Sequence, residues 1–248
     1  YVVDGYFKTD EEARNYKVDQ SFVNQMINAS ALDNGLHAGD LKFVDLDGNN
    51  KIEQTTSAND RKDMKVIGNS LPRYNYNLGI SADWYGIDFS VLFQGIGKQN
   101  WYPGAETSMF WGPYSRPYAS FIPSDFMSQV WSEENSNAYF PRPRGYVALG
   151  SNRELAVVNT KYLQNLAYCR LKNLSIGYTL PDKWLSKIGF EKIRVYFSGE
   201  NLLTFTKLHS DYIDPEQASA SNSWKTSKSD ANIYPWAKTY SFGVDITF

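Results

Sequence analysis

Two stretches of this sequence hold residues whose types and spacing could do chemistry. The run 45–52, DLDGNNKI, places oxygen-bearing side chains at Asp45, Asp47 and Asn49. Lys51 follows at the backbone-carbonyl position, and then Ile52. Oxygens at every second position wrap a hard divalent cation, and this spacing is that of a calcium loop. The match is incomplete, because Asn50 stands where such loops carry a turn glycine and Thr56 where they carry the bidentate acid. Glu53 and Asp60 are the next acids available. Calcium held in the loop 45–60 by Asp45, Asp47, Asn49, Lys51, Glu53 and Asp60 is one reading, and a polar Asp/Asn/Gly turn that binds nothing is the other.

The second stretch, 97–165, contains Trp101, Tyr102, Phe110, Trp111, Tyr114, Tyr118, Phe121 and Trp131, interrupted by six prolines from Pro103 to Pro143. Aromatic faces stack on sugars and on peptide side chains, so Trp101, Tyr102, Trp111, Tyr114 and Tyr118 are candidates to line a ligand cavity or to meet a lid protein. The alternative is that they pack the loop against its neighbours. Arg116, Arg142 and Arg144 are open to the same pair of readings, as contacts to a ligand or to lipopolysaccharide phosphates, or as solvated loop charges. No nucleophile elbow, phosphate loop or metal-binding histidine pair accompanies them, and Glu133-Glu134 lies in polar loop sequence. The sequence therefore predicts no enzyme and requires no cofactor.

Composition narrows the class. The 248 residues carry a net charge of -2, which argues against a nucleic-acid surface built on counterion release. Aromatics reach 16%, with 18 Tyr and 7 Trp, an excess that interfacial girdles and sugar-binding surfaces both call for. The single cysteine, Cys169, excludes an internal disulfide, and His37 and His209 are too few for a histidine-rich metal centre. No apolar run approaches the ~18 residues of a membrane helix, a test that alternating barrel strands evade. The abrupt start at Tyr1 reads as a piece of a longer polypeptide.

The elements that must position these stretches alternate with a period of two. In 236–248 (WAKTYSFGVDITF), Trp236, Tyr240, Phe242, Val244, Ile246 and Phe248 share one face, while Thr239, Ser241, Gly243, Asp245 and Thr247 share the other. The same pattern runs through 73–84, 87–96, 166–180 and 191–205, and 1–7 reads as the end of one more strand. Residues 9–27 begin with Asp and Glu and read as a short helix. The links at Trp84-Tyr85-Gly86 and across 181–190 are short, whereas 8–72, 97–165 and 206–235 are long. Short turns alternating with long loops are the habit of bacterial outer-membrane barrels, with the turns periplasmic and the loops extracellular. This parity puts Phe248 in the periplasm. The fold class is thus an all-β, antiparallel transmembrane β-barrel segment of about five complete strands and one partial, fewer than the ~8 of the smallest closed barrel.

Several motifs, in order and across nearly the whole chain, carry a family resemblance. They are GDLKFVDLDGNNKI (39–52), Asp60-Arg61, IGNSLPRYNYNLGISADWYGIDFSVLFQG (67–95), CRLKNLSIGYTLP (169–181), VYFSGENLLTFTK (195–207), DPE (214–216) and YPWAKTYSFGVDITF (234–248). Together they resemble the C-terminal part of SusC/RagA-type TonB-dependent transporters of Bacteroidetes. In that pattern the acid before Arg comes sooner, so 54–59 reads as a short insertion. The resemblance implies an outer-membrane barrel of about twenty-two strands with a plugged lumen. It also implies a SusD/RagB-like lipoprotein as lid, energy from TonB-ExbB-ExbD through a portion not present here, and uptake of glycans or peptides. Phe248 resembles the terminal signal read by the barrel-assembly machinery. A soluble carbohydrate-binding β-sandwich and an outer-membrane adhesin-type or usher-like barrel are the alternative readings.

Overall fold

The computed structural model describes all residues except 24–34, 58, 116–121, 144, 151–152, 187–188, 222–227 and 230–233. Ten strands and four short α-helices occur among the described residues, in the order β1 (Val3–Tyr6), α1 (Asp10–Arg14), β2 (Leu41–Phe43), β3 (Arg73–Trp84), β4 (Ile87–Lys98), β5 (Asn100–Pro103), α2 (Ser108–Trp111), β6 (Gln164–Asn165), β7 (Tyr168–Thr179), α3 (Asp182–Leu185), β8 (Lys192–Thr206), α4 (Pro215–Ser221), β9 (Lys228–Ser229) and β10 (Thr239–Thr247). No helix among them is long and apolar enough to cross a membrane.

The five long strands form one antiparallel sheet in the order β10-β8-β7-β4-β3. These are the five complete strands expected from the alternation. The sixth, partial strand is placed differently, because β1 pairs with β2 in a separate two-stranded ladder. Its partner comes from the first long loop, where Leu41 and Phe43 are fully buried. The helix expected over 9–27 is a single turn and a half at Asp10–Arg14, capped by the Thr9 hydroxyl, which accepts from the Glu12 N–H at 3.1 Å. Residues 24–27 of that expectation lie outside the described residues.

The β3–β4 hairpin closes on Tyr85 and Gly86, whose φ angles of 47° and 82° are both positive. This is the two-residue turn whose twist matches its flanking strands, and glycine meets the second position without strain. All the short connections lie at this end of the sheet. The three long loops emerge at the other end, where they share one large hydrophobic core, and Phe7, Ala13 and Leu36 form a second, small one. Trp101, Trp111, Tyr102, Tyr114, Tyr162, Phe110 and Phe140 are almost completely buried there, and Phe110 packs edge-on to Trp111 at a centroid distance of 4.8 Å. The long loops therefore build a folded cap with an aromatic interior. Prolines end regular structure in 97–165, and ring packing takes the place of backbone ladders.

Candidate functional site

The sheet has two chemically opposite faces, and strand register shows how they are assembled. Across β3, β4, β7, β8 and β10, Trp84 lies opposite Ile87, Ile87 opposite Tyr178, Tyr178 opposite Val195, and Val195 opposite Val244. The next row up reads Ala82, Phe89, Ile176, Phe197 and Phe242. On the reverse face a row of five serines, Ser81, Ser90, Ser175, Ser198 and Ser241, crosses the whole sheet. One face is thus apolar surface and the other is mostly polar, with Leu92 and Tyr196 among its larger side chains.

Nothing among the described residues covers the apolar face. Leu78, Ile80, Phe242, Val244 and Ile246 all remain exposed, Phe242 by 83%. Burying such a surface is worth about 25 cal/mol per Å², so a band of this extent has an apolar environment as its stable surroundings. From Trp84 to Tyr76 the band runs eight residues along β3, roughly 27 Å at ~3.4 Å per residue before tilt, close to the apolar height of an outer-membrane barrel. Aromatics mark both margins. Trp84, Tyr85 and Phe248 stand at the turn end, and Tyr74, Tyr76 and Phe205 at the loop end. Phe248 packs on Phe190 with ring centroids 5.3 Å apart.

Two ionic clusters occupy the polar face. Near the turns, Arg194 donates to both oxygens of Asp88 at 2.8 and 2.6 Å and to Asp245 at 3.2 Å. The Arg194–Asp88 pair spans from β8 over β7 to β4, and it passes above Gly177. A β-carbon at Gly177 would overlap both charged groups, so glycine is the residue that lets the pair form. At the loop end, Arg170 is 2% exposed and donates to Thr204 at 2.9 Å, Glu216 at 2.7 Å and Asp214 at 2.6 Å. Lys172 donates to Glu216 at 2.9 Å, and its ammonium lies 5.1 Å from the Trp236 ring centroid. Trp236 was expected on the apolar face of the last strand. That strand begins at Thr239, and Trp236 instead closes the ionic cluster, with its backbone N–H donating to Asp214 at 3.3 Å.

The acidic loop folds as its spacing suggests, with one change of residue. Asp45 accepts the N–H groups of Gly48 and Asn50, each at 2.7 Å, and Asn49 accepts that of Lys51 at 2.8 Å. Burial opposes ionisation of Asp45, but these N–H donors outweigh it and hold its carboxyl below the usual range. Asn50 has a φ of 61°, so it supplies the left-handed turn that its replacement of glycine had put in question. The third carboxylate is Asp63, fully buried, and the carboxyl groups of Asp45, Asp47 and Asp63 lie within 4.8 Å of one another. Asp63 accepts from Leu46 N–H at 2.8 Å and Glu53 N–H at 2.7 Å, which fixes it toward the loop. Asp60 pairs with Lys62 at 3.3 Å instead, and Glu53 pairs with Lys51 at 3.2 Å. Sequence spacing missed Asp63 because the fold, not the spacing, brings it to the loop.

Of the aromatic candidates, Trp101, Tyr102, Trp111 and Tyr114 are inside the cap core, with exposures of 0 to 1%. Their polar atoms are turned inward: the Trp111 indole N–H donates to Gly104 carbonyl at 2.9 Å, the Tyr102 hydroxyl to Leu155 carbonyl at 2.8 Å, and the Tyr114 hydroxyl to Pro141 carbonyl at 2.7 Å. These four pack the loop, and of them Trp101 and Tyr102 also border a cavity lined with Tyr1, Phe22 and Leu163. Tyr118, Phe121, Arg116 and Arg144 lie outside the described residues. Arg142 donates to the buried Asp40 at 2.5 Å, so it is a structural cation of the cap.

An antiparallel sheet with a lipid-compatible face, a polar face bearing cross-strand ion pairs, short turns at one end and a folded cap at the other is a segment of transmembrane β-barrel wall. Comparison with known proteins gives the particular kind. The chain is 31% identical over 212 residues to TonB-dependent receptor P3 of Formosa agariphila, covering 83% of this chain and 19% of that protein. It is 25% identical over 227 residues to TonB-dependent receptor P26 of the same organism, covering 90% of this chain and 21% of that protein. Among solved structures, the RagAB peptide importer in its open-open state matches with a TM-score of 0.55 and 22% identity, over 85% of this chain and 21% of that chain. The closed-closed state matches with a TM-score of 0.51 and 20% identity, over 98% of this chain and 22% of that chain. No family model matches. The TonB-dependent resemblance carried by the motifs is borne out by relatives named TonB-dependent receptors, and the importer structures share the fold. The chain spans about a fifth of the length of the curated relatives it matches.

Proposed function

We propose that this chain is a wall-and-cap portion of an outer-membrane TonB-dependent nutrient importer of the SusC type. The observation that carries the reading is the uncovered apolar band that register builds across all five long strands. In this reading the band meets lipid, the serine face lines the lumen, the short turns and Phe248 are periplasmic, and the cap is extracellular. The free edges of β3 and β10 pair with further strands of the same barrel, whose lumen holds a plug. The whole protein takes up glycans or peptides with a SusD/RagB-like lipoprotein as lid, powered by TonB-ExbB-ExbD. Support for a peptide cargo and a paired lipoprotein comes from the likeness to the RagAB peptide importer. Phe248, exposed by 82% at the turn end, serves as the assembly signal.

The acidic loop is read as a calcium site in the same importer. Asp45, Asp47 and Asp63 supply carboxylates, Asn49 an amide oxygen and Lys51 a backbone carbonyl, a hard-oxygen set suited to calcium. The ion would brace the segment 45–63, with no part in chemistry.

Fractionation of cells producing the whole protein tests the principal reading. The protein is expected in the outer membrane, soluble only in detergent, and co-purifying with a surface lipoprotein. Recovery in the soluble fraction without detergent would favour the carbohydrate-binding sandwich, and an outer-membrane protein with no lipoprotein partner would favour the adhesin-type barrel.

A further inference from the structure

The segment 207–218, which leaves β8, lies against the polar face of the sheet. Arg170 is opposite Gln94 on β4 and Thr204 on β8, so it stands on the same face as the serine row. A bulge at Lys172 preserves this. Phe93 pairs with Leu171 while Leu92 pairs with Asn173, and the extra residue brings both Arg170 and Lys172 to the polar side. Asp214 and Glu216, which grip these two cations, must therefore lie over that side as well.

The segment is held at further points. Leu208, Ile213 and Ala218 are buried in the aromatic cap core. His209 stacks on Tyr139 with centroids 3.5 Å apart, and its Nε2 lies 2.7 Å from Gln129 Oε1. Asp214 accepts the N–H groups of Glu216 and Gln217, at 2.9 and 3.4 Å, so the carboxylate that binds Arg170 also starts α4. With the backbone N–H of Trp236 and the guanidinium on its other oxygen, this carboxylate has four donors, and the strap has few ways to shift while the pair is intact.

From this the geometry points to a fixed strap: the segment 207–218 is clamped by Arg170 and Lys172 across the luminal mouth of the barrel wall and narrows the opening on the cap side. Arg170 is then a positioning residue for a size-selecting element. The inference rests on the barrel reading, since only in a barrel is the polar face a lumen. It explains why Arg170, a charged side chain on a membrane-spanning strand, is buried by a loop from 44 residues away.

The test uses the whole protein in cells, with Cys169→Ser, every other native cysteine replaced by serine, and Gln94→Cys, so that one thiol marks the polar face beside Arg170. A small impermeant maleimide and a bulky polyethylene-glycol maleimide are applied from outside, with and without Arg170→Gln or Asp214→Asn. Breaking the clamp is expected to raise the ratio of bulky to small labelling on the order of tenfold, the factor given by about 1.4 kcal/mol in the held-to-released equilibrium. An unchanged ratio, including no labelling in either background, overturns the strap. If Arg170→Gln lowers surface abundance, Lys172→Met with Glu216→Gln leaves the Arg170–Asp214 pair in place, and a smaller rise in the same ratio is expected. A parallel thiol at Phe242→Cys separates the two ideas. Labelling there by a water-soluble maleimide in preference to a lipid-dissolved one counts against the barrel, whatever happens at residue 94.

Discussion

Arg170 Nη2 lies 2.6 Å from Asp214 Oδ2, and both side chains are almost wholly buried. The two residues belong to separate sequence motifs, CRLKN and DPE, and the pair joins those motifs in space. Removing one member leaves a buried charge without its partner, which costs about 3–5 kcal/mol. Arg170→Met is therefore expected to destabilise the cap by that order, and Arg170→Met with Asp214→Leu by clearly less. Thermal unfolding of the whole protein in detergent, read for both variants, checks the ordering.

Gly177 lies beneath the Arg194–Asp88 pair. Any side chain at this position must push apart groups that now meet at 2.6 Å. Gly177→Val is expected to lose the pair and to cost roughly 1–3 kcal/mol, the usual range for forcing bulk into a filled site. Gly79→Val on the same polar face of β3 meets only Leu92 and should be close to neutral. Comparing the heat-modifiable band shift of the two variants on gels distinguishes them.

The cap core should respond to alkali. Burial pushes the Tyr102 and Tyr162 phenols well above their ordinary value, and it pushes Tyr139 up to about 12. A folded pKa above the unfolded one means that the stabilisation is complete below the unfolded pKa of about 10 and is lost as pH rises beyond it. The cap is expected to keep its stability to about pH 10 and to lose it at higher pH. Tyrosinate absorbance followed against pH should show a late-titrating class that vanishes when the protein is unfolded first.

Calcium should protect the segment 45–63. With calcium added to chelator-treated whole protein, proteolysis in this segment is expected to slow, and Asp63→Asn should abolish the effect as fully as Asp45→Ala. Asp60→Asn should leave it intact, because Asp60 faces Lys62. Equal protection with and without calcium in the parent protein removes the site.

The five membrane strands were legible in the sequence because a period of two, with bulky residues on one face, is imposed directly by lipid on one side and lumen on the other. Loop and turn ends were legible from the same parity. What local pattern could not supply was the pairing partner. The stretch 1–7 alternates well enough to be a strand, yet its neighbour, Leu41–Phe43, comes from the cap. Trp236 is in phase with Tyr240 and Phe242, yet an ionic cluster assembled from Arg170, Lys172 and Asp214 draws it to the other side. The aromatic stretch was visible as composition, but the burial of Trp111 and Tyr114 comes from packing among distant segments that composition does not reveal. Asp63 was hidden for a related reason: it meets Asp45 and Asp47 through the fold and not through its spacing in the sequence.

The most direct test of the account is where the outer face of β10 sits. Single nitroxide labels at Phe242, Val244 and Ile246 and, in alternation, at Ser241, Gly243 and Asp245 of the whole protein in bilayers should respond oppositely to a lipid-soluble and a water-soluble relaxing agent. The first three are expected to favour lipid-dissolved oxygen, and the second three not, with a period of two. Uniform accessibility to the water-soluble agent at all six positions would contradict a membrane-facing band and with it the transporter reading.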